Sequence, residues 1–284
     1  MAESVERRQG QMSRRGLLSG VAVLAVAGLA GCGREEKTAE PPATPDGPPK
    51  GSLEWAVAGP WRAQDKARDA ARHPMETLRF FGLQPRMTVV EFWPGSGWYT
   101  EILAPYLAEG AGKYVAAGFQ TGPGADPSQV QLAAAFQQRF TTDERLYGEI
   151  ELSAFGPTSG PVTAAGTADM VLFMRNIHAW MAAGIAEKAF ADAWAALRPG
   201  GVLGVEQHRL GPEEAAEAGF AFVAASEINA NERDTKDHPF GVETLPPSSL
   251  TAARGSPPNP AFDRSKYDRI GESDRMTLRF RKPE

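Results

Sequence analysis

The feature that most constrains this chain is the stretch Val89–Leu103, VVEFWPGSGWYTEIL. Met87, Val89 and Val90 lead into an acid, Glu91, then a Pro/Gly turn, then an amphipathic run. That order reads as strand, tight turn, helix. Glycines at such a turn let backbone N–H groups approach a ligand, and the helix N-terminus that follows adds partial positive charge. Two glycines between a strand and a helix also serve a purely steric purpose, so the neighbouring sequence has to decide between the two roles.

That sequence repeats the alternation. Expected strands are Met87–Phe92, Tyr114–Ala117, Leu146–Leu152, Met170–Met174, Val202–Glu206, Phe220–Glu227 and Arg275–Arg281. Expected helices between them are Tyr99–Ala108, Ser128–Phe140, Ile185–Leu197 and Pro212–Ala218. Strand–helix alternation implies a parallel sheet with right-handed crossovers. The last strand alternates Met276, Leu278 and Phe280 with polar residues, which suits an antiparallel neighbour. Ahead of the first strand, Asp65–Arg72 and Pro74–Phe81 read as two helices, the second closed by Gly82. The charges Arg62, Asp65, Arg68, Asp69 and Arg72 either face a ligand or form a solvated helix face, the simpler reading for most of them. A polar, Pro-rich insertion covers 229–274.

The N-terminus has a different character. Residues 1–32 read as an export signal: Arg14-Arg15 precede an apolar run, Gly16–Gly31, too short and too rich in Gly and Ala for a stable membrane span. Residues 33–52 are rich in Pro, Glu and Gly and read as a flexible tether. Residues 53–284 are long enough for one large domain. A net charge of −5 gives no sign of a nucleic-acid partner. The single cysteine, Cys32, excludes an internal disulfide and a Cys-rich zinc site.

Three stretches carry a resemblance: Val89–Leu103, ADMVLFMRNIHAW (Ala168–Trp180) and LRPGGVLGVEQHR (Leu197–Arg209). Together they resemble the S-adenosylmethionine-dependent methyltransferases of the Rossmann-like fold. With Asp65–Leu83, Gly97–Leu107 and Arg233–Gly241 added, they resemble a bacterial branch of that superfamily carrying export signals. The resemblance implies an α/β fold with a mostly parallel sheet, an antiparallel last strand and helices on both faces. It also implies a methyl transfer to a small or lipid-like acceptor. Glu91, Pro94, Gly95, Gly97, Gly118, Phe119 and Arg175 would hold the cofactor. Asn176 and His178 would border the transfer site, with His208 as candidate base. Leu29-Ala30-Gly31-Cys32 resembles a lipobox, so Cys32 would be lipidated and would anchor an exported periplasmic or cell-envelope lipoprotein to a membrane.

Two residues depart from the superfamily's pattern. Trp93 stands where the first glycine of acid-x-Gly-x-Gly-x-Gly belongs, and Gly118 where an acid for the ribose hydroxyls belongs. They favour an alternative: a methyltransferase fold that binds a small molecule without methylating it, or a metal-dependent envelope protein using His178, Glu206, His208 and His238. No ligand spacing such as His-Glu-x-x-His occurs, so histidines that shape their own loops are the simpler expectation and no metal site is assigned. Trp98 and Trp180 pack in the core or wall a pocket. The sequence leaves the acceptor and the oligomeric state open.

Overall fold

A computed structural model describes residues 47–209 and 218–284. Cys32, the signal segment, most of the tether and nearly all of the helix expected over Pro212–Ala218 lie outside the described residues.

The sheet contains β1 (Thr88–Phe92), β2 (Lys113–Phe119), β3 (Ile150–Phe155), β4 (Ala168–Met174), β5 (Leu197–His208), β6 (Ala221–Ser226) and β8 (Arg275–Arg281), while β7 (Pro239–Val242) lies in the insertion. The strand order is β3-β2-β1-β4-β5-β8-β6. Pairings from β3 to β5 are parallel, and β8 runs antiparallel to both β5 and β6. The fold is therefore the Rossmann-like methyltransferase type. Its order reverses direction at β1, so the crevice beyond the carboxyl ends of β1 and β4 is where such a sheet takes a ligand.

Helices cover both faces, and the pleat explains the near-continuous apolar strands. Val90, Phe92, Val171, Phe173 and Val205 pack with Trp180 of α7 (Ile177–Ala182) and with Phe190 of α8 (Ala186–Ala196). Val89, Tyr114, Met170 and Leu172, on the alternate positions, pack with α3 (Pro74–Phe81), α4 (Thr100–Glu109) and α5 (Pro127–Phe140). Trp180 is fully buried, so it belongs to the core and walls no pocket. Two expected boundaries shift. Leu146 lies in a short helix, α6 (Glu144–Tyr147), and the third strand starts only at Ile150. The fifth strand is longer than Val202–Glu206, because Leu197-Arg198-Pro199-Gly200-Gly201 continues it. That extension is paired at both ends: Ala168 stands opposite Leu197, and Arg275 opposite His208.

The segment before β1 is fastened to α4 by a proline. Pro105 lies inside α4 and has no N–H, so the carbonyl four residues earlier, on Glu101, loses its helical donor. The indole N–H of Trp61 fills that vacancy at 2.8 Å. Around it, the 3-10 turn Pro60–Arg62 that follows α1 (Leu53–Ala58) brings Arg62 inward, and α2 (Asp69–Arg72) brings Arg72. Both are buried, contrary to the solvated face expected of this charged segment. Arg62 forms a two-pronged pair with Asp69 at 2.7 and 2.8 Å. Replacing Trp61 with Phe keeps the ring contacts and orphans the Glu101 carbonyl. That substitution is expected to cost about 1–3 kcal/mol in denaturant melts. An unchanged midpoint would show that the carbonyl finds another partner.

Candidate functional site

The loop after β1 is shaped by three residues with positive φ. Trp93 stands at φ 48°, Gly95 at 61° and Gly97 at 88°. The left-handed region suits glycine and costs a tryptophan of order 1–2 kcal/mol. Trp93 keeps that conformation because its surroundings fix it. Its N–H donates to the Ala117 carbonyl at 2.8 Å, and its indole N–H to the Phe155 carbonyl at 2.9 Å. The indole packs against Phe119 with ring centroids 4.7 Å apart and against Trp180 at 5.9 Å. Asn176 adds a clamp: its amide donates to the carbonyls of Phe92 and Trp93, both at 3.0 Å. Asn176 thus holds the glycine loop to the end of β4.

The two glycines differ. At Gly97 a Cβ would fall 2.1 Å from the Phe140 ring, so this glycine is required by packing. At Gly95 nothing lies within 4 Å of that place, so the backbone there is open to an approaching molecule. Pro94, Gly95, Gly118 and Phe119 line one cavity of about 180 Å³. A neighbouring cavity of about 410 Å³ is walled by Trp93 and Phe155 and rimmed by Gln120, Asp126, Gln129 and Thr158.

Glu91 lines neither cavity. It is buried, and the Tyr114 hydroxyl donates to it at 2.5 Å, with Thr100 behind Tyr114 at 2.8 Å. Burial pushes its carboxyl up to about 7, against the pull of the hydrogen bonds. The sequence pattern pointed Glu91 at a ligand; the structure turns it into the core. The sign of the resulting pH dependence follows. The folded protein holds a proton that the unfolded chain releases above its ordinary value of 4.5, so this contribution to stability falls as pH rises from about 4.5 to about 7. Glu91→Gln keeps an acceptor for Tyr114 and removes the titration. Its advantage over wild type is expected to grow from nothing at pH 4.5 to about 3 kcal/mol by pH 8, read in melts across that range. A pH-independent difference would contradict the burial of the proton.

The histidines expected beside the site do come together in part. The rings of His178 and His208 stand 5.0 Å apart. His208 is the last residue of β5 and not part of the loop after it. Its Nδ1 pairs with the Ser273 hydroxyl at 2.6 Å, and His178 Nδ1 with the Gln207 amide nitrogen at 3.1 Å. Burial, then the charges of Arg175, His178, Arg275 and His238, push His208 down to about 2. In this environment the imidazole is therefore neutral and weakly basic near neutral pH. His178 is also held below its usual value, chiefly by burial. His238 is paired with Asp234 at 2.8 Å. Among the described residues no three His, Cys, Asp or Glu side chains are arranged to hold a metal.

Beside the histidines lies a set of charges that the sequence did not link. Arg72, Arg175 and Arg275 all bind Glu272, and Glu206 pairs with Arg275 and Tyr99. Glu272 and Arg275 carry no motif; only the antiparallel pairing of β8 with β5 brings them to this edge.

The cofactor implied by the resemblance does not fit in that family's usual manner. The end of β2 offers no acid at Gly118, and the Trp93 ring, fixed at both ends, fills the space between the ends of β1, β2 and β3. What remains open is the approach to Gly95 and the cavity beyond Trp93.

No family model matches the chain, and no curated protein matches its sequence. Solved structures do match. A SAM dependent methyltransferase from Aquifex aeolicus is 19% identical over 60% of this chain and 90% of its own, with a TM-score of 0.45. The N-methyltransferase NodS from Bradyrhizobium japonicum, in complex with S-adenosyl-L-homocysteine, is 17% identical over 83% and 98%, with a TM-score of 0.45. The [4+2]-cyclase SpnF is 14% identical over 75% and 81%, with a TM-score of 0.47. The fold assignment stands on the strand order of this chain.

Proposed function

We propose that this chain is an envelope-tethered, methyltransferase-like protein that binds a small molecule at the carboxyl edge of its sheet and transfers a methyl group from S-adenosylmethionine to a small or lipid-like acceptor. One observation carries the reading: the loop at the switch point of the sheet, which leads into α4 at Thr100, presents the open backbone of Gly95. Methyl transfer depends on alignment more than on a strong base, so the neutral His208 does not argue against it. The grip on the cofactor departs from the family's usual one. Trp93 and Phe155 wall the adjoining cavity, and Gln120, Asp126, Gln129 and Thr158 supply its polar rim.

Trp93 also favours a second reading, a protein of this fold that binds its small molecule without methylating it. The two separate in a calorimetric titration of the purified chain with S-adenosylmethionine. Saturable binding by the wild type is expected, weaker than in Trp93→Gly, which clears the indole and relieves the positive φ. Binding only by Trp93→Gly would favour the non-methylating reading. Binding by neither would remove the cofactor from both.

The tether is part of the proposal and rests on the twin arginine followed by Leu29-Ala30-Gly31-Cys32. Cys32→Ser is expected to move the protein from the membrane fraction to the soluble fraction. A wild-type protein found free in the cytoplasm would overturn this part.

A further inference from the structure

Five charged side chains meet between the N-terminal helices, the ends of β4 and β5, and the start of β8. Glu272 accepts from Arg72 Nε at 2.9 and 3.0 Å, from Arg175 Nη1 at 3.1 Å and from Arg275 Nη1 at 2.9 Å. Glu206 faces Arg275 Nε at 2.6 Å and accepts from the Tyr99 hydroxyl at 2.9 Å. Three guanidinium groups against two carboxylates leave one positive charge in excess. The adjacent polar groups do not cancel it. His208 is neutral, Ser273 and Gln207 carry no charge, and Glu243, the carboxylate felt by His178, is paired with Arg254. A buried cation left without a counter-charge is costly.

Two of the three guanidinium groups keep N–H groups free of Glu272, and that of Arg72 also lies over the Trp98 ring at 4.8 Å. Arg72 and Arg175 each use a single nitrogen on Glu272, and among the described residues no other nitrogen of either donates to a protein acceptor. Arg175 is the member that reaches outward: 19% of its side chain is exposed, against 8% for Arg72 and 1% for Arg275. It stands at φ 66°, a conformation held by its N–H on the Glu206 carbonyl at 2.7 Å. Burial, followed by the charge of Arg72 beside it, lowers its guanidinium to about 10.

We propose that Arg175, backed by Arg72, is the binding site for a small oxyanion, the carboxylate or phosphate group of this protein's ligand. An oxyanion there completes the charge balance and takes up the unused N–H forks, a geometry that guanidinium groups match two bonds at a time. This inference stands apart from the reading of the glycine loop, because it needs no S-adenosylmethionine.

The test uses the purified full chain at neutral pH. Its melting temperature is followed against sodium phosphate, sodium acetate and sodium chloride at matched ionic strength. The expected result is a saturable rise with phosphate or acetate that chloride does not give. The oxyanion that saturates at the lower concentration identifies the group, phosphoryl or carboxyl. Arg175→Met is expected to weaken that binding at least tenfold. Arg175→Lys, which keeps the charge and loses the fork, should fall between the two and gives the answer if the methionine variant does not fold. Equal responses to all three salts would overturn the site, and so would wild-type affinity in both variants, or in Arg175→Lys alone where Arg175→Met is unfolded.

Discussion

The carboxyl edge of the sheet depends on one carboxylate. Glu272 joins Arg72 of α2, Arg175 at the end of β4 and Arg275 at the start of β8. These three places are far apart in sequence, and only the closed fold brings them together. Removing one partner of a buried ion pair typically costs 3–5 kcal/mol, because the remaining charge is stranded. Here two charges would be stranded, Arg72 and Arg175, while Arg275 would keep Glu206. The backbone around Glu272 is fixed as well, since Asn231 donates to the main-chain carbonyls of Ile270 and Glu272 at 2.9 and 2.7 Å. Asp234 extends this anchorage by accepting from the Asp274 N–H at 2.8 Å and from His238. The insertion is thus held back onto the edge by ionic and polar bonds, and buried Leu245 and Ile270 and the stacked Phe262 and Tyr267 add apolar packing within it.

Trp93 is the second constraint, and it works in the opposite sense. A glycine at that position would leave the loop free; a tryptophan makes it rigid. The indole is held at its N–H by Phe155, at its face by Phe119 and at its edge by Trp180, while Asn176 holds the backbone from the side of β4. These contacts offset the cost of the left-handed conformation. The consequence is a crevice divided in two. On one side lie Gly95 and the smaller cavity; on the other lies the larger cavity, with the indole as its wall. A ligand of this domain meets an aromatic surface where the fold's usual pattern offers glycine.

Most of the fold was legible in the sequence, because it rests on local signals: apolar strands, the Glu91–Gly97 turn, and the alternating Met276, Leu278 and Phe280. The third strand was misjudged because Asp143 caps a single helical turn across Glu144–Tyr147, and a lone cap carries less weight than the apolar residues around it. The site was legible only in part. His178 and His208 fell on neighbouring strand ends, as the order of the elements implies. The partners that set their chemistry did not: Glu272, Ser273 and Arg275 precede or begin the last strand, and their meeting with β5 follows from antiparallel register. Burial was the other hidden variable. Nothing in the local pattern distinguishes Arg72, which is buried, from Arg68 four residues earlier, which keeps over a third of its side chain exposed. Nor does it reveal that Glu91, at the usual place of a ligand-facing acid, is enclosed by Tyr114 and Thr100.

These environments bear on what chemistry the edge can support. Burial holds Glu91 near 7 in the interior and His208 near 2 beside the arginines. Glu91 is raised into the useful range but lines neither cavity; His208 lies at the edge and is held weakly basic there by burial and the arginines. What the edge does offer is fixed: an excess of guanidinium charge, an open glycine backbone and an aromatic wall. Such a set orients a ligand and stabilises negative charge without moving a proton. A neutral, weakly basic imidazole beside fixed guanidinium groups suits the orientation of a ligand more than strong base chemistry.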